Sequence, residues 1–510
     1  MNEAKDFLRE GILIESSLIT EFSKLKISLP QLARQTGATF LSKKDLPQFS
    51  PKFVKKLEQM KNLHEGEERK NIEAALEYFK TFMPKSVYLQ VERKDGASFK
   101  IINSWNLPPR KITVDDFTKY FQARLTDLKK ILQDHGSLTN LTSIGKISAQ
   151  KQDLSIIGMI NEKRTTKNKN VILEMEDLSG KMNVLIHNSR KELIEKAKEI
   201  VQDEVIGIRG NGNNEIIFVN DIAFPEISGN RKNLLSEESY AVFTSDTHIG
   251  SKKFIEDKFL NFISWVNGEI GNDEQKALSK KIKYLFIVGD TVDGIGVFPN
   301  QSDFLDIKDI KLQYKKLAEH LGKIRKDIII FISPGQHDAT RIAEPQPPID
   351  REYAEDLYQL ENAVLLSNPA MVEIGTEKGR GIKVLMYHGA SFHSMIDDIE
   401  ELRLSKAHDN PTKVSKHLLR KRHLAPQHST TDHLPVPEMD PLVIREIPDV
   451  FASGDLHRPD VDFYGSTTLI ASSCWQHRTE FEEKVGNNPD PCKVPILNLK
   501  TGKVSIIDFS

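Results

Sequence analysis

Asp246-Thr-His248, Gly289-Asp290, Gly335-Gln336-His337-Asp338, His388-Gly389 and Gly454-Asp455-Leu456-His457 hold the residues of this chain best suited to chemistry. Carboxylates, imidazoles and a carboxamide, with no cysteine among them, speak against a structural zinc site and for manganese, with magnesium or iron as the other ions the set suits. Two divalent ions about 3.5–4 Å apart can hold both the attacking and the leaving oxygen of a phosphoryl displacement. Asp246, His248, Asp290 and His457 can build one coordination shell. Asp290, Gln336, His388 and Asp455 can build the other, with Asp290 bridging. His337 stands beside a ligand, where a side chain can protonate a leaving 3′-oxygen or stabilise the scissile phosphate.

Singly, these motifs say little. Asp-X-His is more often turn chemistry than not, and Gly-Asp alone is nearly uninformative. Gly-Gln-His-Asp is more specific, because a buried strand rarely ends in so polar a cluster. What unites them is position. Each follows a short apolar run: Tyr240 to Ser245, Lys283 to Val288, Asp327 to Ser333, Lys383 to Tyr387, and Val450 to Ser453. Runs of this length bounded by Gly and Asp read as buried strands, and ligands collect at the carboxyl ends of such strands in layered α/β folds.

The elements that must position these residues give a multidomain α+β chain. Residues 1–84 read as a helical N-terminal domain, with Phe7, Leu8 and Ile12 to Ile14 opening its first segment. Residues 85–152 read as a linker region carrying a short strand at 86–91 and an amphipathic helix at 115–133. Three strands, a helix and two strands over 153–226 follow the order of an OB-fold barrel. Residues 238–510 form an α/β layered domain whose strands alternate with helices at 257–270 and 304–324; runs at Thr467 and Pro495 are expected to close its sheet. The hairpin tip with Lys163, Arg164, Lys167 and Lys169 reads as solubilising, and His393 as incidental on a surface turn.

Composition narrows the partners. The 510 residues carry a formal net charge of only −2 with 28% charged residues, so any DNA contact must use local patches. Arg420, Lys421 and Arg422, in the histidine-rich stretch 408–433, are the patch expected to steer DNA or meet a partner, with a solvated helix as the equal alternative. Cys474 and Cys492 are too few for a disulfide framework and point to a reducing compartment. The opening Met-Asn-Glu-Ala-Lys-Asp lacks a signal pattern and no apolar run approaches a span of about 20 residues, so a soluble, cytoplasmic protein with no membrane partner is expected.

The order of the motifs resembles that of calcineurin-like metallophosphoesterases across about 238 to 480. Longer strings are similar to the small subunits of archaeal D-family DNA polymerases: Gly289 to Gln301, Ser333 to Ala339 with Glu344-Pro-Gln-Pro347, and Leu418 to Pro426. The resemblance covers nearly the whole chain. It implies a 3′→5′ exonuclease that proofreads single-stranded or mismatched DNA 3′ ends beside a separate large polymerising subunit. It also implies Asp246, His248, Asp290, His388 and His457 as metal ligands and His337 as the catalytic histidine that binds no metal. Two positions depart from the general phosphoesterase pattern, Gln336 for Asn and Asp455 for His. Both fall on one metal, where added anionic charge favours a harder ion. Two other readings stand beside the nuclease: an inactive or weakly active assembly subunit for the large subunit, and a phosphatase acting on proteins or small molecules.

Overall fold

Val, Ile and Phe dominate the apolar runs after residue 238, and such side chains suit strands covered on both faces. The computed structural model describes residues 97–107, 111–226, 233–376, 379–428, 431–437, 439–485 and 487–510, with shorter stretches before residue 97, chiefly 66–80. The chain divides into two units, Met1–Ser86 and Val87–Ser510. In the first, the helix Gly66–Lys80 is described, together with two short strands, Leu13–Ile14 and Phe40–Leu41, that pair in parallel. Leu13 and Ile14 thus lie in a strand where the sequence suggests a helix. Most other residues of 1–84, and the strand expected at 86–91, lie outside the described residues.

The second unit holds two facing sheets and a barrel. Tyr240–Thr244, Ile282–Val288, Ile329–Ser333 and Ala363–Leu365 run parallel, and the antiparallel pair Lys493–Asn498 and Val504–Asp508 completes a six-stranded sheet. The seven-stranded sheet has the spatial order Asp460–Tyr464, Thr467–Ala471, Val450–Ser453, Ile382–Met386, Ala370–Ile374, Ala97–Ser104 and Glu92–Lys94. One sheet closed by the Thr467 and Pro495 runs is therefore corrected to two, with those runs on opposite sides. Residues 85–152 are likewise more than a linker: Ala97–Ser104 pairs with Ala370–Ile374 within the larger sheet.

Phe243, Phe286 and Phe331 of one sheet bury against Phe99, Val384, Ala452 and Ile470 of the other in a shared core. The Phe243 and Phe286 rings stack at 4.9 Å. Removing one such ring, as in Phe286→Ala, typically costs about 3–5 kcal/mol. Helices cover the outer faces, through Trp265, Leu317 and Leu321 on the six-stranded side and Met395, Val414 and Leu418 on the other. This double wrapping holds the strand ends rigidly against each other.

Gln152–Thr165, Val171–Asp177, Gly180–Ile186, Ile216–Ala223 and Val205–Gly212, in spatial order, close a five-stranded barrel around Ile156, Leu173, Val184 and Ile208. The helix Lys191–Lys198 lies between its third and fourth strands in the chain. Lys163 donates to the carbonyls of Ala197 and Lys198 at that helix's carboxyl end, a favourable place for a cation. The helix Val114–Gln133 starts at a capping box made by Thr113 and Asp116 and lays Leu125, Leu128 and Leu132 on the barrel residues Ile157, Met159 and Val205. Among the described residues, no helix is long and apolar enough to cross a membrane.

Candidate metal centre

The site forms where the carboxyl ends of five parallel-running strands meet between the two sheets. Tyr240–Thr244, Ile282–Val288 and Ile329–Ser333 lead into Asp246, Asp290 and Gln336; Ile382–Met386 and Val450–Ser453 lead into His388, Asp455 and His457. Asp246, His248, Asp290, Asp455 and His457 have φ of +51°, +45°, +46°, +70° and +55°. A non-glycine residue in this left-handed region costs on the order of 1–3 kcal/mol and persists where the surroundings over-determine it, typically at a working site. Two glycines make the approach possible. A Cβ on Gly289, itself at φ +84°, would lie 2.2 Å from His388 Nδ1, and one on Gly335 would lie 2.2 Å from Asp290 Oδ1.

Three histidines are oriented alike. His388 Nδ1 donates to the Val288 carbonyl at 2.8 Å, His457 Nδ1 lies 2.7 Å from Glu482 Oε1, and His248 Nδ1 faces Asp293 Oδ1 at 3.3 Å. An acceptor at Nδ1 puts the hydrogen there and leaves the lone pair on Nε2, the arrangement that metal-ligating histidines show. The freed atoms converge. His248 Nε2 and His457 Nε2 are 3.2 Å apart, His457 Nε2 is 3.4 Å from Asp246 Oδ1, and His388 Nε2 is 3.2 Å from Asp290 Oδ2. Asp246 Oδ1 also lies 3.9 Å from His388 Nε2, so Asp246 as well as Asp290 stands between the two halves.

Buried polar groups are normally paired, and several of the exceptions in this structure gather at the site. Asp246 Oδ1, Gln336 Oε1, His388 Nε2 and Asp455 Oδ2 are buried and make no hydrogen bond within the protein. Burial disfavours the charged form of Asp246 and Asp290, yet the imidazoles of His457 and His388 hold Asp246 below the usual carboxylate range, and His388 and His337 hold Asp290 far below it. Burial likewise opposes protonation of His388, but Asp290 and Asp246 raise it well above an ordinary histidine. A pocket that draws protons onto its imidazoles has the field to draw a divalent cation. Asp246, His248 and His457, and separately Asp246, Asp290 and His388, each bring three donor atoms within 4.8 Å of one another. The donor set therefore fits two hard or borderline divalent ions.

Gln336 and Asp455 stand together in the second half, where Gln336 Nε2 donates to Asp455 Oδ1 at 3.0 Å. That bond leaves Gln336 Oε1 and Asp455 Oδ2 as the free ligand atoms. His337 sits at the rim of the first half, its ring perpendicular to that of His248 at 4.8 Å. Its Nδ1 donates to the Asp293 carbonyl at 2.7 Å and its backbone N–H to Asp290 Oδ1 at 2.8 Å. The ring is thus fixed with Nε2 facing away from the protein bond.

Four supporting residues complete the site. Asp293, within the Gly-Asp-X-X-Asp string, orients His248 and receives Gln301 Nε2 at 2.9 Å. Asp338 ties its own loop to the one after Asp290 and to the helix Ile310–Leu321 by accepting from Thr291 N (3.1 Å), Gly335 N (2.9 Å) and the Tyr314 hydroxyl (2.9 Å). Glu482, whose ionised form burial disfavours but whose pKa His457 brings down to about 2, carries no sequence signal. His393, taken from sequence as incidental, has Nε2 3.6 Å from Asp455 Oδ2 and is corrected to a residue at the mouth of the site.

Arg420, Lys421 and Arg422 are not a DNA-facing patch. Arg420 pairs with Glu199 and with Glu226 at 2.8 Å and lies 4.2 Å over the Phe224 ring. Lys421 is buried against Glu204, and Arg422, buried, donates to the carbonyls of Ile444 and Arg445 at 2.7 and 2.6 Å. Their partners come from the barrel and from a later loop, so these cations fasten the helix Thr412–Lys421 to its neighbours.

Comparison with known proteins places this geometry in a family. The family model for the DNA polymerase alpha/epsilon B-subunit matches residues 241–461. The DNA polymerase II small subunit of Methanothermobacter thermautotrophicus is 38% identical over 398 residues, 78% of this chain and 80% of that protein. The Pyrococcus furiosus small subunit is 36% identical over 84% of this chain and 70% of its own length, and that of Archaeoglobus fulgidus 38% identical over 75% of each. Among solved structures, a conserved uncharacterized protein of Streptococcus pneumoniae, described as a phosphoesterase, aligns with 54% of this chain and 92% of its own at 12% identity and a TM-score of 0.23, a likeness that carries no argument. The chain belongs to the family of DNA polymerase II small subunits, those of the archaeal D-family polymerase.

Proposed function

We propose that this small subunit is a two-metal 3′→5′ exonuclease that trims single-stranded or mismatched DNA 3′ ends for the large catalytic subunit it accompanies. The observation that carries the reading is the convergence of unpaired ligand atoms from both sheets, with Nδ1 of His388 and His457 hydrogen-bonded back to the protein and that of His248 facing Asp293. Asp246, His248, Asp290 and His457 would hold one ion, and Asp290, Gln336, His388 and Asp455 the other, with manganese the ion we expect. Ions bound there polarise the scissile phosphodiester and lower the pKa of water. His337 acts on the leaving group: with Nδ1–H held by the Asp293 carbonyl, its protonated Nε2 can deliver a proton to the departing 3′-oxygen. Asp293 and Glu482 keep the ligand imidazoles in the right tautomer, and the strained loops keep them in place without reorganisation. The strand order and the helix between the third and fourth strands support reading the barrel as an OB-fold, and the facing sheets support a calcineurin-like domain over 238–510 extended by Ala97–Ser104.

A nuclease assay on a 3′-labelled single strand with manganese tests the proposal. His337→Ala should lower kcat by roughly 10²–10⁴-fold, and Asp290→Asn should abolish release altogether. Wild-type protein that releases nothing with metal and large subunit present would leave the assembly role. The Gln336–Asp455 hydrogen bond favours that second reading to a degree, since it ties up one donor atom of the second half.

A further inference from the structure

The loop after Asp293 turns apolar side chains toward solvent beside the catalytic histidine. Ile295, Val297, Phe298 and Phe304 are 48%, 40%, 40% and 38% exposed, and the two phenylalanine rings lie 6.1 Å apart at 51°. Contiguous exposed apolar groups of this kind mark a contact site more often than a neutral surface. The loop is not free to bury them. Gln313 holds it by accepting from Gly294 N at 2.9 Å and donating to Gly294 O at 3.1 Å. Gln301, itself buried, accepts from Val297 N at 2.9 Å and donates to the Asp293 carbonyl at 2.7 Å. Two buried carboxamides thus pin the backbone from inside while the side chains face out.

The loop is continuous with the site. The Asp293 carbonyl that starts it is the acceptor for His337 Nδ1, and a Cβ on Gly294 would lie 2.3 Å from the His337 carbonyl. Its far end meets exposed cations: Lys252 donates through Nζ to the Asp303 carbonyl at 2.8 Å and through its backbone to the Phe304 carbonyl at 2.9 Å, and Lys253 follows it. The nearby Asp303 side chain is exposed. Aromatic faces with cations at one end, next to the histidine proposed to serve the phosphodiester, match unpaired nucleotides: bases stack on rings of any sequence and phosphates meet the lysines.

We infer that Ile295, Val297, Phe298 and Phe304 form a platform on which the unpaired bases of a DNA 3′ end stack, with Lys252 and Lys253 beside the backbone, so that the loop selects frayed ends over paired ones. The inference rests on the exonuclease reading and deepens it. A paired end keeps its terminal bases stacked on each other and cannot offer their faces to the loop.

The test uses the full chain with its large subunit and manganese, and two single strands that differ only in carrying normal or abasic nucleotides at the last three 3′ positions. Wild type should favour the base-bearing strand about tenfold in KM, a stacking-sized preference. Phe298→Ala should lose that preference with kcat on the abasic strand retained, and Phe298→Tyr should restore it. Equal preference in wild type and Phe298→Ala would overturn the platform, as would loss of the large subunit from Phe298→Ala with the preference intact, which would make the loop a protein contact. Should wild type cleave neither strand, the exonuclease reading fails. Fluorescence anisotropy of the two strands then decides the platform by the same tenfold difference.

Discussion

Among the described residues, two buried clusters of histidine and aspartate differ in what is left unpaired. Arg124, Asp440 and His423 are 0%, 0% and 1% exposed, as deeply enclosed as the strand-end residues. In that cluster Arg124 Nε donates to Asp440 Oδ2 at 2.7 Å, and the rest of the guanidinium reaches the Tyr120 hydroxyl and the carbonyls of Pro426 and Asp203. Asp440 also accepts from Leu442 N at 2.9 Å. His423 uses both nitrogens, donating from Nε2 to Asp440 at 2.7 Å and accepting at Nδ1 from Ala425 N at 3.0 Å. Of the strand-end histidines, His388 leaves Nε2 without a hydrogen bond, and His248 and His457 turn Nε2 toward each other at 3.2 Å beside Asp246. Burial and charge alone do not separate a site from a fastener, and neither does one unfilled atom, since His417 Nδ1 and His433 Nε2 are unpaired too; unfilled ligand atoms that converge from separate loops do.

Breaking the fastener should give the largest change in stability with no change in chemistry. Arg124→Ala leaves Asp440 buried without its cation and should destabilise folding by about 3–5 kcal/mol. Urea unfolding would measure this, and manganese bound per folded chain should stay at the wild-type level. Loss of manganese at full folding would show that the two regions are coupled and break the contrast.

The opposite change should come from Glu482→Gln. A residue that orients a ligand through its Nδ1 typically changes metal affinity about 10–100-fold, so the variant should titrate with manganese that much more weakly while its unfolding midpoint without metal moves less than that of Arg124→Ala. An unchanged affinity would remove Glu482 from the site.

Acid gives the smallest and most graded effect. Burial, reinforced by Arg124, depresses His423 to about 4 and His433 to about 3, and burial, reinforced by Lys421, depresses His417 to about 3. These folded values lie below the ~6.5 of an unfolded histidine, so the unfolded chain binds more protons as pH falls from 6.5 toward 4. The contribution of these rings to stability should fall across that window, with a slope of at most about 1.4 kcal/mol per pH unit for each histidine, while Glu344, pushed up to about 8 by burial, contributes in the opposite sense. Asp440, held well below the usual carboxylate range by His423 and Arg124 against the opposing effect of burial, keeps its contribution until the pH drops below about 3.9. NMR titration of the imidazole protons reads the rings one by one, and a His423 or His433 that protonates near the ~6.5 of an unfolded histidine would mean these rings are not enclosed as described.

The sequence exposes the strand-end residues because an apolar run closing on Asp, His or Gly-Asp is a local pattern, visible without knowing the partner strand. Pairing across the molecule is not local. Thr467–Ala471 and Lys493–Asn498 are both short apolar strands, and nothing in either says that one joins the seven-stranded sheet and the other the six-stranded. Ala97–Ser104 is hidden for the same reason, since its partner Ala370–Ile374 lies far along the chain. Arg420, Lys421 and Arg422 read as a basic patch because the partners of the first two, Glu199, Glu204 and Glu226, come from a different domain, and those of Arg422 are backbone carbonyls. His393 and Glu482 approach the site only through tertiary placement, one at the start of a helix past the His388 strand and the other in an acidic helix.

Cations occupying the space between Asp246 and Asp290 are what every step above requires, and anomalous diffraction from crystals soaked in manganese reads that space directly. Two peaks are expected, one bounded by Asp246, His248 and His457, the other by Asp290, His388 and Asp455. Protein that diffracts well after soaking, yet shows no anomalous peak among those side chains, would contradict it.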